Sequence, residues 1–150
     1  MLVEIALVAT IVLVGVVAGN EIGTLVVIHP ALDRVPYASG RPAAQAVVAR
    51  FGRVMPVLMP ITIAVTFVTA LVLDGTPSVL LLLAGAALVA MLIVTFAGLM
   101  PLNTSQLGAD ETTPADEWYG WRARWLRLHA VRVVCDLAAL VLVAVAAVVR

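Results

Sequence analysis

At 150 residues the chain has the length of one soluble domain, but 63% of its residues are hydrophobic and only 12% are charged. Nine arginines balance nine acids, with no lysine. This gives no basic excess for a nucleic-acid partner and points to a lipid bilayer as the surroundings. The single cysteine, Cys135, cannot form an internal disulfide and reads as a small buried residue in an apolar run.

Four segments are long and apolar enough to cross a bilayer, which takes about 20 residues per helix. The expected class is all-α: one domain over residues 1–150, a polytopic bundle of four transmembrane helices. The first span is predicted over residues 2–28. It lacks a basic leader and carries Glu4 near its start, so it is expected to be retained rather than cleaved as a signal peptide. Gly15, Gly19 and Gly23 recur every four residues, a spacing that lets a second helix approach closely. That helix belongs either to the same bundle or to a second copy in a homo-oligomer. Asn20 and Glu21 interrupt the span, and each needs a partner in lipid. Glu21 is either a site residue or an interfacial one; Glu4 reads as interfacial.

The second span is predicted over residues 54–73, with Met55-Pro56 and Met59-Pro60 marking the helix start and a kink. Asp74-Gly75-Thr76-Pro77 reads as a tight turn, with Thr76 as N-cap and Pro77 opening the third span, residues 78–100. Thr113-Pro114 opens the fourth helix in the same way, with Asp116 and Glu117 in a first turn that favours negative charge. The fourth span covers residues 126–149, so the helix before it projects beyond the membrane for about four turns. Arg34, Arg41, Arg50 and Arg53 fall in the first connection; Arg122, Arg124 and Arg127 fall in or near the third. Only Arg150 lies on the other side. The positive-inside rule then places both connections, and the extended fourth helix, in the cytoplasm. Both termini are expected outside, with the protein in the inner (plasma) membrane.

Within the fourth helix, Trp118, Trp121, Trp125, His129, Arg132 and Asp136 share an arc of roughly 80° at about 100° per residue. Lipid disfavours charge, so this face should turn inward or toward water. His29-Pro30 closes the first span, and Asn103 follows Pro101-Leu102 after the third. With His129 they put polar groups from three chain regions at one depth. Arg132 has Asp136 one turn away as its nearest candidate ion-pair partner. From the residues alone, this face reads first as structural: an ion pair, a histidine at a helix end and an interfacial tryptophan belt.

Pro101-Leu102-Asn103, a polar loop, and then Trp121, Trp125, His129 and Arg132 resemble the C-terminal signature of the anthrone oxygenase-like family. These are small four-helix membrane proteins, long catalogued as a domain of unknown function. Gly19-Asn20 and His29-Pro30-Ala31-Leu32 resemble the family's first helix and its exit, so the resemblance covers nearly the whole chain. Some members are assigned to oxidation of an anthrone to an anthraquinone, and many have no known reaction. The resemblance therefore implies a cofactor-independent oxygenase acting on a hydrophobic aromatic compound. His129 would be the base, with Arg132 and Asn103 stabilising an oxyanion. Trp121, Trp125, Asn20 and His29 would contact substrate, with Asp136 and Glu21 in support.

The alternative is a non-enzymatic membrane module that binds a lipophilic ligand or a partner protein. No cofactor is predicted. Copper or haem is the chemical competitor, through His29, His129, Glu21 and Asp136 with Met55, Met59 and Met100, but no short metal-ligand motif occurs. A phosphate-binding loop and a nucleophile elbow are also absent. No internal repeat supports a transporter reading.

Overall fold

The computed structural model describes every residue from Met1 to Arg150 and contains no strand. Four helices dominate: α1 (Leu2–Leu32), α2 (Tyr37–Leu71), α3 (Gly75–Gly108) and α4 (Ala115–Val148). Each is long and apolar enough to cross a membrane. The protein is a multi-pass membrane protein. Neighbours in the bundle are α1–α2, α2–α3, α3–α4 and α4–α1, so the helices surround the core in chain order. Arg150 reaches Glu4 at 3.0 Å, and the N-terminal amine pairs with the same carboxylate. The termini therefore share one end of the bundle with the α2–α3 turn. The other two connections lie at the opposite end, called here the site end.

The helices outrun the predicted spans. At about 1.5 Å per residue, the 34 residues of α4 measure roughly 51 Å, against a hydrocarbon core of about 30 Å. The larger departure is α2. Its helix begins at Tyr37, so Arg41, Arg50 and Arg53 sit on helix rather than in a connection, and only Arg34 remains in the link. Pro42, Pro56 and Pro60 all lie inside this helix. Predicted as a helix start, Pro56 and Pro60 instead fall well within it. Asn103 is helical too, because α3 continues to Gly108. The turn before α3 also differs by two residues: Asp74 is the N-cap, and Gly75 opens the helix at φ +66. Only glycine takes that backbone angle without strain. Pro114, predicted as the first residue of α4, is its N-cap.

The terminal half of the bundle is an apolar core of Leu7, Val14, Leu81, Ala84, Leu88, Ala139, Val143 and Ala146. Gly85 allows the Phe67 ring to lie against α3: a methyl group there would fall 2.6 Å from it. The small-residue stripe on α1 does no such work. Gly19 and Gly23 have nothing within 4 Å of a built Cβ, and Gly15 meets only Leu140, at 4.0 Å. The bundle therefore does not use this stripe for close packing.

At the site end a second layer ties the connections down. The Tyr37 hydroxyl donates to the Thr113 carbonyl at 2.8 Å, and Gln45 donates to the carbonyls of Gln106 and Ala109 at 2.8 Å each. Trp118 packs there with Ala44 and Ala109. Asp110 orders the last connection by accepting from the hydroxyl and amide of Thr112. Those bonds hold its carboxyl below the usual carboxylate range.

Candidate functional site

Apart from Val133, the buried residues of α4 run Trp118, Arg122, Trp125, His129, Arg132, Asp136, Ala139, Val143 and Ala146, in alternating steps of four and three. This is the 3.5-residue period of helices packed with a left-handed twist. It corrects the face read from the sequence at one position: Arg122 points inward and Trp121 does not. Trp121 packs at the margin of the Ala44–Trp118 cluster, away from the cavity described below. Continuing the four-three alternation back from Asp136 would have selected Arg122.

Helices α1 and α3 each contain one irregular turn at the same height. In α1 the His29 amide bonds to the Thr24 carbonyl five residues back; in α3 the Met100 amide bonds to that of Thr95. These are π-helical turns, each absorbing one extra residue. Each is followed by a proline, Pro30 or Pro101, which has no amide to continue an ordinary ladder. Each opens on a threonine whose hydroxyl donates to the carbonyl four residues back, of Asn20 or Met91. Thr24–Pro30 and Thr95–Pro101 are thus a short structural repeat that the sequence did not betray.

The geometric consequence is large. His29 is eight residues beyond Glu21, roughly 80° off its face on an unbroken helix at about 100° per residue. Absorbing one residue brings the two within roughly 20° of each other. The same count applies from Thr95 to Asn103. The two bulges rotate His29 and Asn103 into the bundle.

There they line a cavity of about 270 Å³, near the lower end of the roughly 300–1,000 Å³ common for small-ligand pockets. Helix α1 contributes Asn20, Glu21, Thr24 and His29; α4 contributes Trp125, His129 and Arg132. The α2 wall is largely apolar, with Phe51, Gly52, Met55, Pro56 and Met59, and α3 adds Leu92, Phe96, Met100 and Asn103. Phe96 and Met100 are also exposed on the outer surface of the bundle, which places the α2–α3 side of the cavity toward lipid. Pro56 and Pro60 offer no amide to the carbonyls of Gly52 and Pro56, so this wall also carries backbone acceptors without their usual helical donors.

Glu21 is the centre of the polar edge. Buried on α1, it accepts from Arg132 at 2.7 Å. Its other carboxylate oxygen lies 3.2 Å from His129 Nδ1, off the direction of a good hydrogen bond. The backbone carbonyl of Glu21 lies 3.2 Å from His129 Nε2. A carbonyl only accepts, so Nε2 carries a proton. Arg132 thus pairs across the bundle with Glu21 and not with Asp136, as the sequence spacing had suggested. Asp136 is fully buried, has no hydrogen-bond partner for either oxygen, and does not line the cavity. Glu4, by contrast, is exposed at the bundle end.

Aromatic rings form the adjoining wall. Trp125 stacks on His129 at 4.6 Å and tilts against His29 at 4.4 Å. Its indole N–H donates to Asn103 Oδ1 at 2.7 Å. That bond fixes the amide's orientation and leaves the Asn103 NH₂ group free to donate. Behind His29, buried Arg122 pairs with Asp33 and also reaches His29 Nδ1 at 3.3 Å. Sequence reasoning counted Arg122 only as a surface charge and passed over Asp33. Met55, Met59 and Met100 all stand in the cavity wall, but no three His, Cys, Asp or Glu side chains come together in a metal-holding group. Cys135 is a free thiol packed beside Val17, Met59 and Met91.

Fold and cavity together define a class: a four-helix polytopic membrane protein with a ligand-sized chamber, apolar on most sides and charged along one edge. The sequence model of the family described as anthrone oxygenase matches residues 44–142, and the chain belongs to that family. The match spans most of α2 through most of α4; α1, with Glu21 and His29, lies outside it. No curated protein matches the chain. No solved structure matches it either.

Proposed function

We propose that the chain oxidises a hydrophobic, anthrone-like aromatic compound with dioxygen, without a cofactor. The observation that carries this reading is a largely apolar chamber of about 270 Å³ bordered by one polar edge with Glu21, His129 and Arg132, in a member of the anthrone oxygenase family. The reaction converts a ring methylene to a ring carbonyl. The carbon loses both hydrogens and gains one oxygen atom; the other oxygen atom leaves with those hydrogens as water. The Glu21–His129 couple takes the first proton from the methylene. The electron pair released passes from the ring to dioxygen, and a carbon–oxygen bond forms there. Arg132 and the free Asn103 amide stabilise the negative oxygen as charge develops. Trp125 offers a face to the rings, with Asn20 and His29 at their edge. Asp136 supports the site from below, beside Arg132.

The test uses protein purified in detergent, loaded with anthrone under nitrogen and then exposed to dioxygen. Oxygen uptake and quinone absorbance should rise well above those of empty micelles. His129→Gln should lower the rate by about 10²–10⁴ while leaving most of the protein folded. A wild-type rate equal to that of the micelles overturns the reading.

A second reading, a non-enzymatic module for a lipophilic ligand, is favoured by one observation: both ring nitrogens of His129 face Glu21 rather than open space. Tight anthrone binding without oxygen uptake would support it. The arginine distribution also supports a cytoplasmic site end and external termini in the plasma membrane. Reporter fusions at the N-terminus, Asp74 and the C-terminus should then all read external; a cytoplasmic signal at Asp74 reverses this orientation.

A further inference from the structure

We propose that Arg122 and Asp33 form a positioning pair that holds His29 as a neutral ring with its proton on Nε2, making that N–H the donor to a ring oxygen of the ligand. The ligand class is thereby narrowed to flat aromatics that carry a carbonyl or phenolic oxygen. This inference rests on the anthrone-like reading of the cavity and deepens it.

The argument starts from Arg122, which is 5% exposed although it lies near the end of the bundle. Its Nε donates to Asp33 Oδ1 at 3.1 Å, and a terminal nitrogen serves both that carboxylate oxygen and His29 Nδ1, the latter at 3.3 Å. A guanidinium has donors and no acceptor. His29 Nδ1 must therefore present its lone pair. A doubly protonated ring would turn an N–H toward a cation, so the ring is neutral and its one proton sits on Nε2.

That Nε2 is buried and has no partner in the protein. His29 is 2% exposed and lines the cavity, with Trp125 tilted against its ring at 4.4 Å. An unpaired buried donor costs about 1–3 kcal/mol, a cost removed when a ligand oxygen accepts from it. His129 cannot take this role, because its Nε2 is directed at the Glu21 carbonyl. Asp33 is half-exposed and carries the counter-charge that keeps Arg122 in place.

The test measures binding alone, under nitrogen, by quenching of tryptophan fluorescence. The probes are anthrone and 9,10-dihydroanthracene, which share a tricycle but differ in the oxygen. Wild type should prefer anthrone by roughly tenfold, the worth of one hydrogen bond. His29→Leu should abolish the preference, because it weakens anthrone binding by about tenfold more than dihydroanthracene binding. His29→Gln, whose amide NH₂ lies near the place of Nε2, should restore most of it. Arg122→Met should reduce the preference, because the ring can then flip or exchange tautomers. A structural role for Arg122 would weaken both probes equally, and that result overturns the proposal. An undiminished preference in His29→Leu overturns it as well, while leaving the anthrone-like reading intact. If wild type binds neither probe, both readings fall.

Discussion

In the terminal half of the bundle, the four helices meet through leucine, valine and alanine, and the buried polar contacts there are hydroxyls of threonine and Ser78 bonded to backbone or to each other, with the Glu4 ion pairs exposed at the very end. In the site half, the same helices meet through Glu21, Arg132, His129, Asn103 and Trp125, around open space. The first half satisfies the lipid environment at little cost, because a threonine hydroxyl finds its acceptor four residues back on its own helix. The second places a carboxylate and a guanidinium at membrane depth, which is tolerable only because each is the other's partner. Stability is concentrated in one half, and groups capable of chemistry in the other.

The sharpest way to break this division is to strand a charge. Glu21→Leu leaves the buried Arg132 guanidinium without its acceptor, and a loss of about 3–5 kcal/mol is expected. Thermal unfolding in detergent reads it. Adding Arg132→Leu should recover much of the loss, whereas adding Asp136→Leu to Arg132→Leu should recover less. Equal recovery in both double variants would mean that Arg132 is shared between the two acids.

The apolar half should answer differently. Leu88→Ala opens a hole in a fully buried position and should cost about 2–5 kcal/mol. Ligand affinity per folded molecule should not change. A matching loss of affinity would show that the halves are mechanically coupled.

Glycine substitutions give a finer contrast. Gly85→Ala forces a methyl group against the Phe67 ring and should cost about 1–3 kcal/mol. Gly19→Ala meets nothing and should leave the melting temperature of the monomer unchanged. A drop in oligomer mass with Gly19→Ala would instead place this stripe between copies of the chain. The smallest effect belongs to the Thr10–Thr69 hydroxyl contact at 2.8 Å. Thr10→Val should cost about 0.6 kcal/mol, near the mean for hydrogen bonds between membrane helices.

Much of the fold was legible because lipid imposes a simple rule. A backbone crossing hydrocarbon must satisfy its own hydrogen bonds, so long apolar runs became four helices. The inward side of α4 was legible for a similar reason, since charges at helical spacing in a span must share a protected face. Trp121 and Arg122 show where this reading lost resolution. They are adjacent, both are large and amphipathic, and only the 3.5-residue packing period separates them. Arg132 shows another limit. Sequence spacing proposes the partner on the same helix, Asp136, whereas the bundle supplies Glu21 from α1 at 2.7 Å.

The sequence by itself determined the four spans, the two-ended charge distribution and the membership of His129, Arg132 and Trp125 in one helix face. Those properties follow from composition and from the regular period of an unbroken helix. Tertiary structure alone decided that His29 and Asn103 join that face, that Glu21 lies between His129 and Arg132, and that Arg122 is buried behind His29. For His29 and Asn103 the physical reason is the pair of π-helical turns at Thr24–Ile28 and Thr95–Leu99, whereas Glu21 and Arg122 stand on regular helix and took their partners from helix-to-helix packing. Each bulge adds a residue without adding a turn, so counting residues along the sequence points the following side chains roughly 100° away from where they stand.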